Sequence, residues 1–515
     1  MTERTTLLHI LHKNHGNGRP RFSPWRTLRV FALLIVGAPA SIAQPAIRVL
    51  SLDDAITTAL GRGEEVELAK GGVRSAEGNE LIARSGMLPQ ISASANYTRT
   101  LKSQYSSVTS TPDTSNTIAS LFKNLPFGKP NQWTLGLNAS QNIFTGGRQT
   151  ALADAASARR HSADLDLTAA EAQLVLNITQ SYYDAALADT LVIISEDALK
   201  QTEEIYRQTN LAYQVGEKAE FDALRAKVAR DNQIPVVLQS QTDRAQSYYR
   251  LKQLLNYSLD DSLVLTTPVV DSQARFAAMS DTAVNERSSV IQAVESVNAS
   301  NAQVRIAQSA HWPQISISSS YSPVAYPNNF FPNYNDWLTN WTAALNISIP
   351  IYTGGNIEGN VEAAEGNVEQ ANARLEQVRE AAAMDARTAL DALHSAEANL
   401  RSVASTSSEA SRAYDIARVR FNQGISTEVE LDDARIQEEQ ARANWARAVR
   451  NYQVARAKLH LLKDLPVNPA QAPVASSTAQ GAITQQAASS ATPPSSQSFT
   501  APAAGATSSS SGTGQ

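Results

Sequence analysis

The 515-residue sequence contains no cysteine. That excludes disulfides, thiolate metal sites, a cysteine nucleophile and a lipid-modified N-terminal cysteine. Histidine is scarce, at 7 residues. His9, His12 and His15 fall in the N-terminal basic region, and His161, His311, His394 and His460 are widely scattered. Histidine metal sites and catalytic triads therefore lack material. No phosphate-binding glycine loop, nucleophile elbow or pair of catalytic carboxylates stands out. The expectation is a non-enzyme with no cofactor and no metal. Aromatics make up 6% and charged residues 18%, against 42% apolar. This is lean in core formers yet too apolar for a wholly disordered chain. No run approaches the ~20 apolar residues of a membrane-spanning helix.

Arg19, Arg21, Arg26 and Arg29 precede the apolar run Val30–Ala38, and Ser41-Ile42-Ala43 offers small residues at the −3 and −1 positions. Residues 1–43 thus read as a secretory signal peptide cut after Ala43. An N-terminal anchor is the alternative, disfavoured by an apolar stretch of at most about 14 residues. Residues 1–43 hold six Lys or Arg and one acid, so removing their +5 takes the net charge of -5 to -10. Such a balance argues against nucleic acid. An exported chain without a spanning helix is either soluble beyond the inner membrane or enters a bilayer as β-strands.

The chain repeats itself. Leu137–Gly147, ending Ile-Phe-Thr-Gly-Gly, matches Leu345–Gly355, ending Ile-Tyr-Thr-Gly-Gly, at an offset of 208 (145 to 353). Tyr213-Gln-Val-Gly216 matches Phe421-Asn-Gln-Gly424 at the same offset of 208 (216 to 424). Leu88-Pro-Gln-Ile-Ser92 matches Trp312-Pro-Gln-Ile-Ser316 at 224 (89 to 313), so the intervening loop is longer in the first half. Three ordered matches indicate a duplicated unit, with a first repeat over about 50–258 and a second over about 282–465.

Each half reads helix, strand, loop, strand, long helix, turn, helix. Arg148–Val215 has no Gly or Pro in 68 residues, enough for a helix about 100 Å long. The second half repeats this from Asn367 to Gln423, with Gly359 and Gly366 softening its start. Return helices follow over Glu217–Asn256, with an interruption expected at Pro235, and over Ile425–Leu465. Helices this long usually pack as coiled coils, and by themselves they are equally compatible with a fibrous scaffold.

Four strands discriminate, at about 90–101, 132–144, 314–322 and 340–352. In the first, Ile91, Ala93, Ala95 and Tyr97 alternate with Ser92, Ser94, Asn96 and Thr98, and the others alternate likewise. About ten residues suffice for a tilted strand to cross an outer membrane. The polar faces are nearly uncharged hydroxyls and amides, suited to a wet lumen, and Tyr97, Trp133, Tyr321, Trp337 and Trp341 lie near strand ends, where an aromatic girdle belongs. Four strands cannot close a barrel, because ~8 is the smallest common size. Several copies must contribute; three give twelve strands in a closed head-to-tail ring. Lys102–Asn131 and Ser322–Asp336 have the composition of extracellular loops. The Thr-Gly-Gly segments place Gly146, Gly147, Gly354 and Gly355 at strand-to-helix turns. The uncharged tail 466–515, rich in Ala, Ser, Pro and Gln, is predicted to be disordered.

On these duplicated Leu-Pro-Gln-Ile strand starts, Thr-Gly-Gly strand exits and glycine turns (Tyr213–Asp222 and Phe421–Glu430), the chain resembles the outer membrane efflux protein (TolC) family over roughly Leu50–Leu465. The absence of cysteine matches the branch without a lipid anchor. The resemblance implies an α+β membrane protein: a homotrimer whose twelve-stranded β-barrel, four strands per chain, sits among outer membrane lipid. A long periplasmic α-helical coiled-coil tunnel would continue it. It implies a passive exit duct of a tripartite efflux or type I secretion system, in the outer membrane of a Gram-negative bacterium. Its partners would be a periplasmic adaptor protein and a proton-driven or ATP-driven inner-membrane pump. Gly216 and Gly424, with Tyr213 and Phe421, would form the helix-turn tips at the periplasmic mouth, where the adaptor docks.

Within that resemblance, Glu430 and Asp433 occupy the positions of acids that ring the constriction, and their spacing of three puts both on one helix face. The alternative is an ordinary solvated acidic face, since Glu428 and Asp432 crowd the same turn. Asp222 sits where the family prototype bonds an acid to a tyrosine and an arginine. Those positions are Phe421 and Ser426 here, so that lock cannot form as such, and closure is expected to rest on packing or on other pairs, for example Asp222 with Arg418 or Arg420. A periplasmic or surface coiled-coil scaffold or adhesin without a pore is the competing reading.

Overall fold

The computed structural model describes residues 48–102, 129–267 and 284–467. The expected signal peptide, most of the first extracellular loop and nearly all of the tail lie outside the described residues.

The first repeat contains β1 (Arg48–Leu50), α1 (Leu52–Arg62), α2 (Glu64–Ser85), β2 (Gln90–Arg99), β3 (Asn131–Phe144), α3 (Arg148–Gln214), α4 (Glu220–Leu254) and β4 (Leu263–Leu265). The second contains α5 (Ser288–Gln308), β5 (Gln314–Tyr321), the short β6 (Val324–Ala325) and β7 (Trp337–Leu338), β8 (Trp341–Ser348), α6 (Asn356–Asn422) and α7 (Glu428–Leu461). The duplication is thus carried by helix, two strands, long helix and return helix. α3 and α6 each span 67 residues, about 100 Å of rise.

Three local features depart from the sequence reading. α4 runs unbroken through Pro235. Its two turns on either side are held by packing, and buried Gln233 donates to Glu439 of α7 at 3.0 Å. α6 begins at Asn356 rather than Asn367 and passes through Gly359 and Gly366. Each glycine costs about 1 kcal/mol relative to alanine, too little to stop a helix of this length. β8 ends at Ser348, two residues before Pro350, which has no N–H to give a neighbouring strand.

β2, β3, β5 and β8 form an antiparallel sheet in that spatial order. Its register settles which residues share a face. Ser92 lies opposite Asn138, Asn138 opposite Ser320, and Ser320 opposite Thr342. On the other face Ala93 lies opposite Leu137, Leu137 opposite Tyr321, and Tyr321 opposite Trp341. Polar rows meet polar rows across all four strands, knitted by Ser320 Oγ donating to Asn138 Oδ1 at 2.7 Å. A one-residue slip would mix the two faces.

The segment between β5 and β8 is more ordered than its loop-like composition suggests. β6 pairs with β3 at Trp133 and Thr134, and β7 pairs with β6. Asn131 is buried and donates to Asn328 O and Asn329 O at 3.2 and 3.0 Å, while the Tyr97 hydroxyl donates to Asn131 Oδ1 at 2.9 Å. Trp133 Nε1 donates to Phe330 O at 2.8 Å, and the Tyr97, Trp133 and Phe330 rings cluster with centroids 4.9–5.8 Å apart.

The largest apolar cluster lies part-way along α3, where Leu174, Ile178 and Tyr182 meet Leu52, Ile56, Leu251 and Leu255. β1 and β4, a parallel pair, seal it; the Tyr182 hydroxyl donates to Leu50 O at 3.1 Å and accepts from Thr267 N–H at 2.9 Å. Elsewhere alanines dominate the buried face of α3, including Ala151, Ala155, Ala158, Ala185 and Ala188, and such small side chains let helix axes approach closely. α7 ties the second repeat to the first through Arg450 with Asp184 at 2.7 Å and Arg442 with Asp197 at 3.1 Å.

Candidate functional site

The two helical hairpins end in turns of the same construction. After α3, Gly216 N–H donates to Tyr213 O at 3.0 Å and Glu217 N–H to Ala212 O at 2.8 Å, with Gly216 at φ +82. After α6, Gly424 N–H donates to Phe421 O and Ile425 N–H to Arg420 O, both at 2.9 Å, with Gly424 at φ +71. Both are Schellman caps, which satisfy the last helical carbonyls and favour glycine at the left-handed position. No atom within 4 Å would obstruct a Cβ at either glycine. Backbone conformation alone therefore calls for glycine at both tips.

Glu430 and Asp433 are both exposed on the first turns of α7. Glu430 lies 3.9 Å from Arg420 across its own turn, and its N–H donates to the N-cap Thr427 hydroxyl at 3.3 Å. Neither acid is drawn into the contact between the hairpins of one chain. Tyr213 is exposed at the first tip.

The expected pairing of Asp222 with Arg418 or Arg420 is not formed. Arg418 bonds Asp415 at 2.9 Å, one turn back on α6, and Arg420 faces Glu430. Each arginine finds a carboxylate on its own hairpin, so neither reaches across to α4. Asp222 itself is half-buried, its N–H capping onto Ala219 O at 3.1 Å. Ser426 donates its hydroxyl to Ala417 O at 3.5 Å.

A different set of groups joins the tips. Lys218, in the first turn, places Nζ 4.3 Å from the centre of the Phe421 ring, a cation–π contact. Next to it Glu428, the first residue of α7, is 9% exposed and its Oε2 has no hydrogen-bond partner. Burial pushes the Glu428 carboxyl above the usual range; Lys218 and Arg225 pull it down by less, and Asp222 and Asp432 push it further up. The sequence reading gives Glu428 no role beyond the alternative of a solvated acidic face. A signal was present: Glu428, Leu431 and Arg435 recur at i, i+3 and i+7 and are all buried, the spacing of a packed face.

At the other end of the long helices, Gly146 and Gly147 have φ +62 and +84, and Gly354 and Gly355 repeat the pair at +62 and +84. Of the four only Gly146 is crowded. A Cβ on Gly146 would stand 2.6 Å from Trp312 Cβ and 2.7 Å from Ser309 O, whereas Gly354 has open space. Gly146 thus lets the first strand exit touch the second repeat.

The outer membrane efflux protein family profile matches residues 55–257 and 279–462. The chain belongs to the outer membrane efflux protein family. Its two matched segments coincide with the two structural repeats. The chain is 23% identical over 370 residues to outer membrane protein TolC of Vibrio cholerae, covering 68% of this chain and 76% of that one. It is 23% identical over 236 residues to the cation efflux system protein CusC of Escherichia coli K12, covering 45% of this chain and 51% of CusC. That match spans about half of CusC. The fold is shared with the MtrE outer membrane channel of Neisseria gonorrhoeae in its open state, at TM-score 0.66 and 20% identity over 81% of this chain and 89% of MtrE.

Proposed function

We propose that this efflux-family chain is the outer membrane exit duct of a tripartite export system, working as a homotrimer and passing substrates from the periplasm to the exterior without catalysing a reaction. The observation that carries this reading is the sheet. One face is mostly Ser, Thr and Asn, the other mostly apolar, and β2 and β8 are paired on one side only among the described residues. Unpaired edges cannot be left in lipid, where each free backbone group costs several kcal/mol. Neighbouring copies supply the missing partners; three chains give twelve strands, with polar faces lining water and apolar faces meeting outer membrane lipid.

The long helices continue the path into the periplasm, and the hairpin tips form its mouth. Glu430 and Asp433 ring that mouth and favour cations, because convergent carboxylates create a negative field along one axis. Tyr213, Gly216, Phe421 and Gly424 present the tips to a periplasmic adaptor, which in turn joins a proton-driven or ATP-driven inner-membrane pump. The adaptor opens the duct by binding the splayed tips more tightly than the closed ones. The choice between drug efflux and type I secretion lies with the pump.

Purified protein added to planar bilayers is expected to give stepwise conductance, and membranes are expected to retain it in the outer-membrane fraction. Electrical silence together with a soluble periplasmic protein would return the chain to the coiled-coil scaffold reading.

A further inference from the structure

The tips of this chain are held by groups other than an acid bonded to tyrosine and arginine, and those groups are unevenly matched. Around the Glu428 carboxyl stand Lys218 from the first turn, Asp222 and Arg225 from α4, and Asp432 from α7 itself. The two cations act more strongly on the carboxyl than the two acids, yet burial outweighs them all. The side chain is nine-tenths buried and one of its oxygens has no partner. Meanwhile Lys218 is committed to the Phe421 ring at 4.3 Å, which closes the space between the hairpins.

We propose that Glu428, buried beside Lys218, Asp222 and Arg225 of the other hairpin, is a pH-sensitive element of the mouth: neutral, it fits the closed tip, and charged, it drives the hairpins apart. This inference rests on the duct reading. The direction follows from linkage. Burial raises the carboxyl's affinity for a proton in the closed tip, and splaying the hairpins returns it to water. The closed state therefore binds the proton more tightly than the open one. Acid stabilises closure, and closure weakens as pH rises from the ordinary carboxylate range through the raised value. One proton per chain limits the change in the closed-to-open ratio to about tenfold per pH unit for each copy.

Two measurements on the full-length protein test this. In planar bilayers, wild type is expected to show several-fold lower open probability at about pH 5 than at about pH 7.5. Glu428→Gln is expected to show the acid value at both. Phe421→Ala, which removes the ring that Lys218 holds across the tips, is expected to raise open probability and flatten its pH profile. Independently of conduction, spin labels on Val215→Cys and Ile425→Cys, introduced into a chain with no cysteine of its own, report the separation of the tips in detergent. That separation is expected to shorten on acidification and to stay short in the added presence of Glu428→Gln. Currents that ignore Glu428→Gln, or labels that move apart in acid, overturn the switch while leaving the duct intact. Bilayers silent with every variant overturn the duct, and the label distances then still decide the switch.

Discussion

Single residues in this molecule carry unequal weight despite matching sequence contexts. Gly146 and Gly354 occupy the same Thr-Gly-Gly motif and the same φ of +62, yet only Gly146 abuts Trp312 and Ser309 O. Gly354→Ala incurs the left-handed penalty alone, about 1–2 kcal/mol. Gly146→Ala adds a steric clash worth about another 1–3 kcal/mol, so its melting temperature in detergent should fall clearly further than that of Gly354→Ala. The glycine requirement itself was legible from the motif, because backbone dihedrals are a local property. The contrast was not, since it depends on a residue 166 positions away (146 to 312). Glu428 was obscured for the same reason: its charged neighbours Lys218 and Arg225 lie some 200 residues upstream. For the exposed pair, Glu430→Gln with Asp433→Asn is expected to move the reversal potential in a salt gradient toward zero. The effect should be larger at low ionic strength, where screening over about 10 Å is relieved. Arg420→Ala, which removes the cation 3.9 Å from Glu430, should move it the other way. Unchanged potentials in both variants would leave these acids as a solvated face.

Elements are positioned here by apolar faces and then locked by a few charged contacts of very different depth. Arg287, with a side chain 3% exposed, bonds Asp385 at 2.9 Å and also donates to Ala382 O, joining the start of α5 to α6. Lys458 of α7 reaches the same carboxylate at 3.3 Å. Asp385→Ala leaves a buried guanidinium without its counter-charge, and a loss of about 3–5 kcal/mol is expected. Asp415→Ala breaks an exposed pair with Arg418 and should cost about 1 kcal/mol or less. Thermal unfolding of the two variants side by side checks the ranking; equal losses would mean that Arg287 finds other partners. The strands and long helices were readable at this scale because period-two alternation and a 68-residue stretch without Gly or Pro are properties of contiguous sequence. Their ends were less so. α4 continuing through Pro235 and α6 through Gly359 and Gly366 reflect neighbouring helices overriding intrinsic propensity. The parallel pairing of β1 with β4 joins segments more than 200 residues apart, which periodicity cannot reveal.

At the scale of the whole molecule, the chain is an incomplete object. Its membrane sheet has β2 exposed along 10 residues at one edge and β8 along 8 at the other, and both strands need partners in lipid. In the proposed ring β8 of each copy pairs with β2 of the next, and antiparallel order is preserved because four strands per chain is an even number. The register at this junction is set by keeping polar residues on one face, as it is within the chain. Cysteines placed one at a time at Ser92, Ser94 or Asn96, each combined with Ala344→Cys, therefore scan three possible registers on the polar face without disturbing the apolar one. Under oxidising conditions in membranes, one combination is expected to give a ladder of cross-linked species stopping at three chains on a denaturing gel. The other two combinations should cross-link poorly, because facing Cβ atoms must lie within about 4.5 Å for a disulfide to close. A ladder that stops at two or runs beyond three would refute the twelve-stranded ring. Cross-linking that fails at all three positions would exclude these registers for the β8–β2 junction.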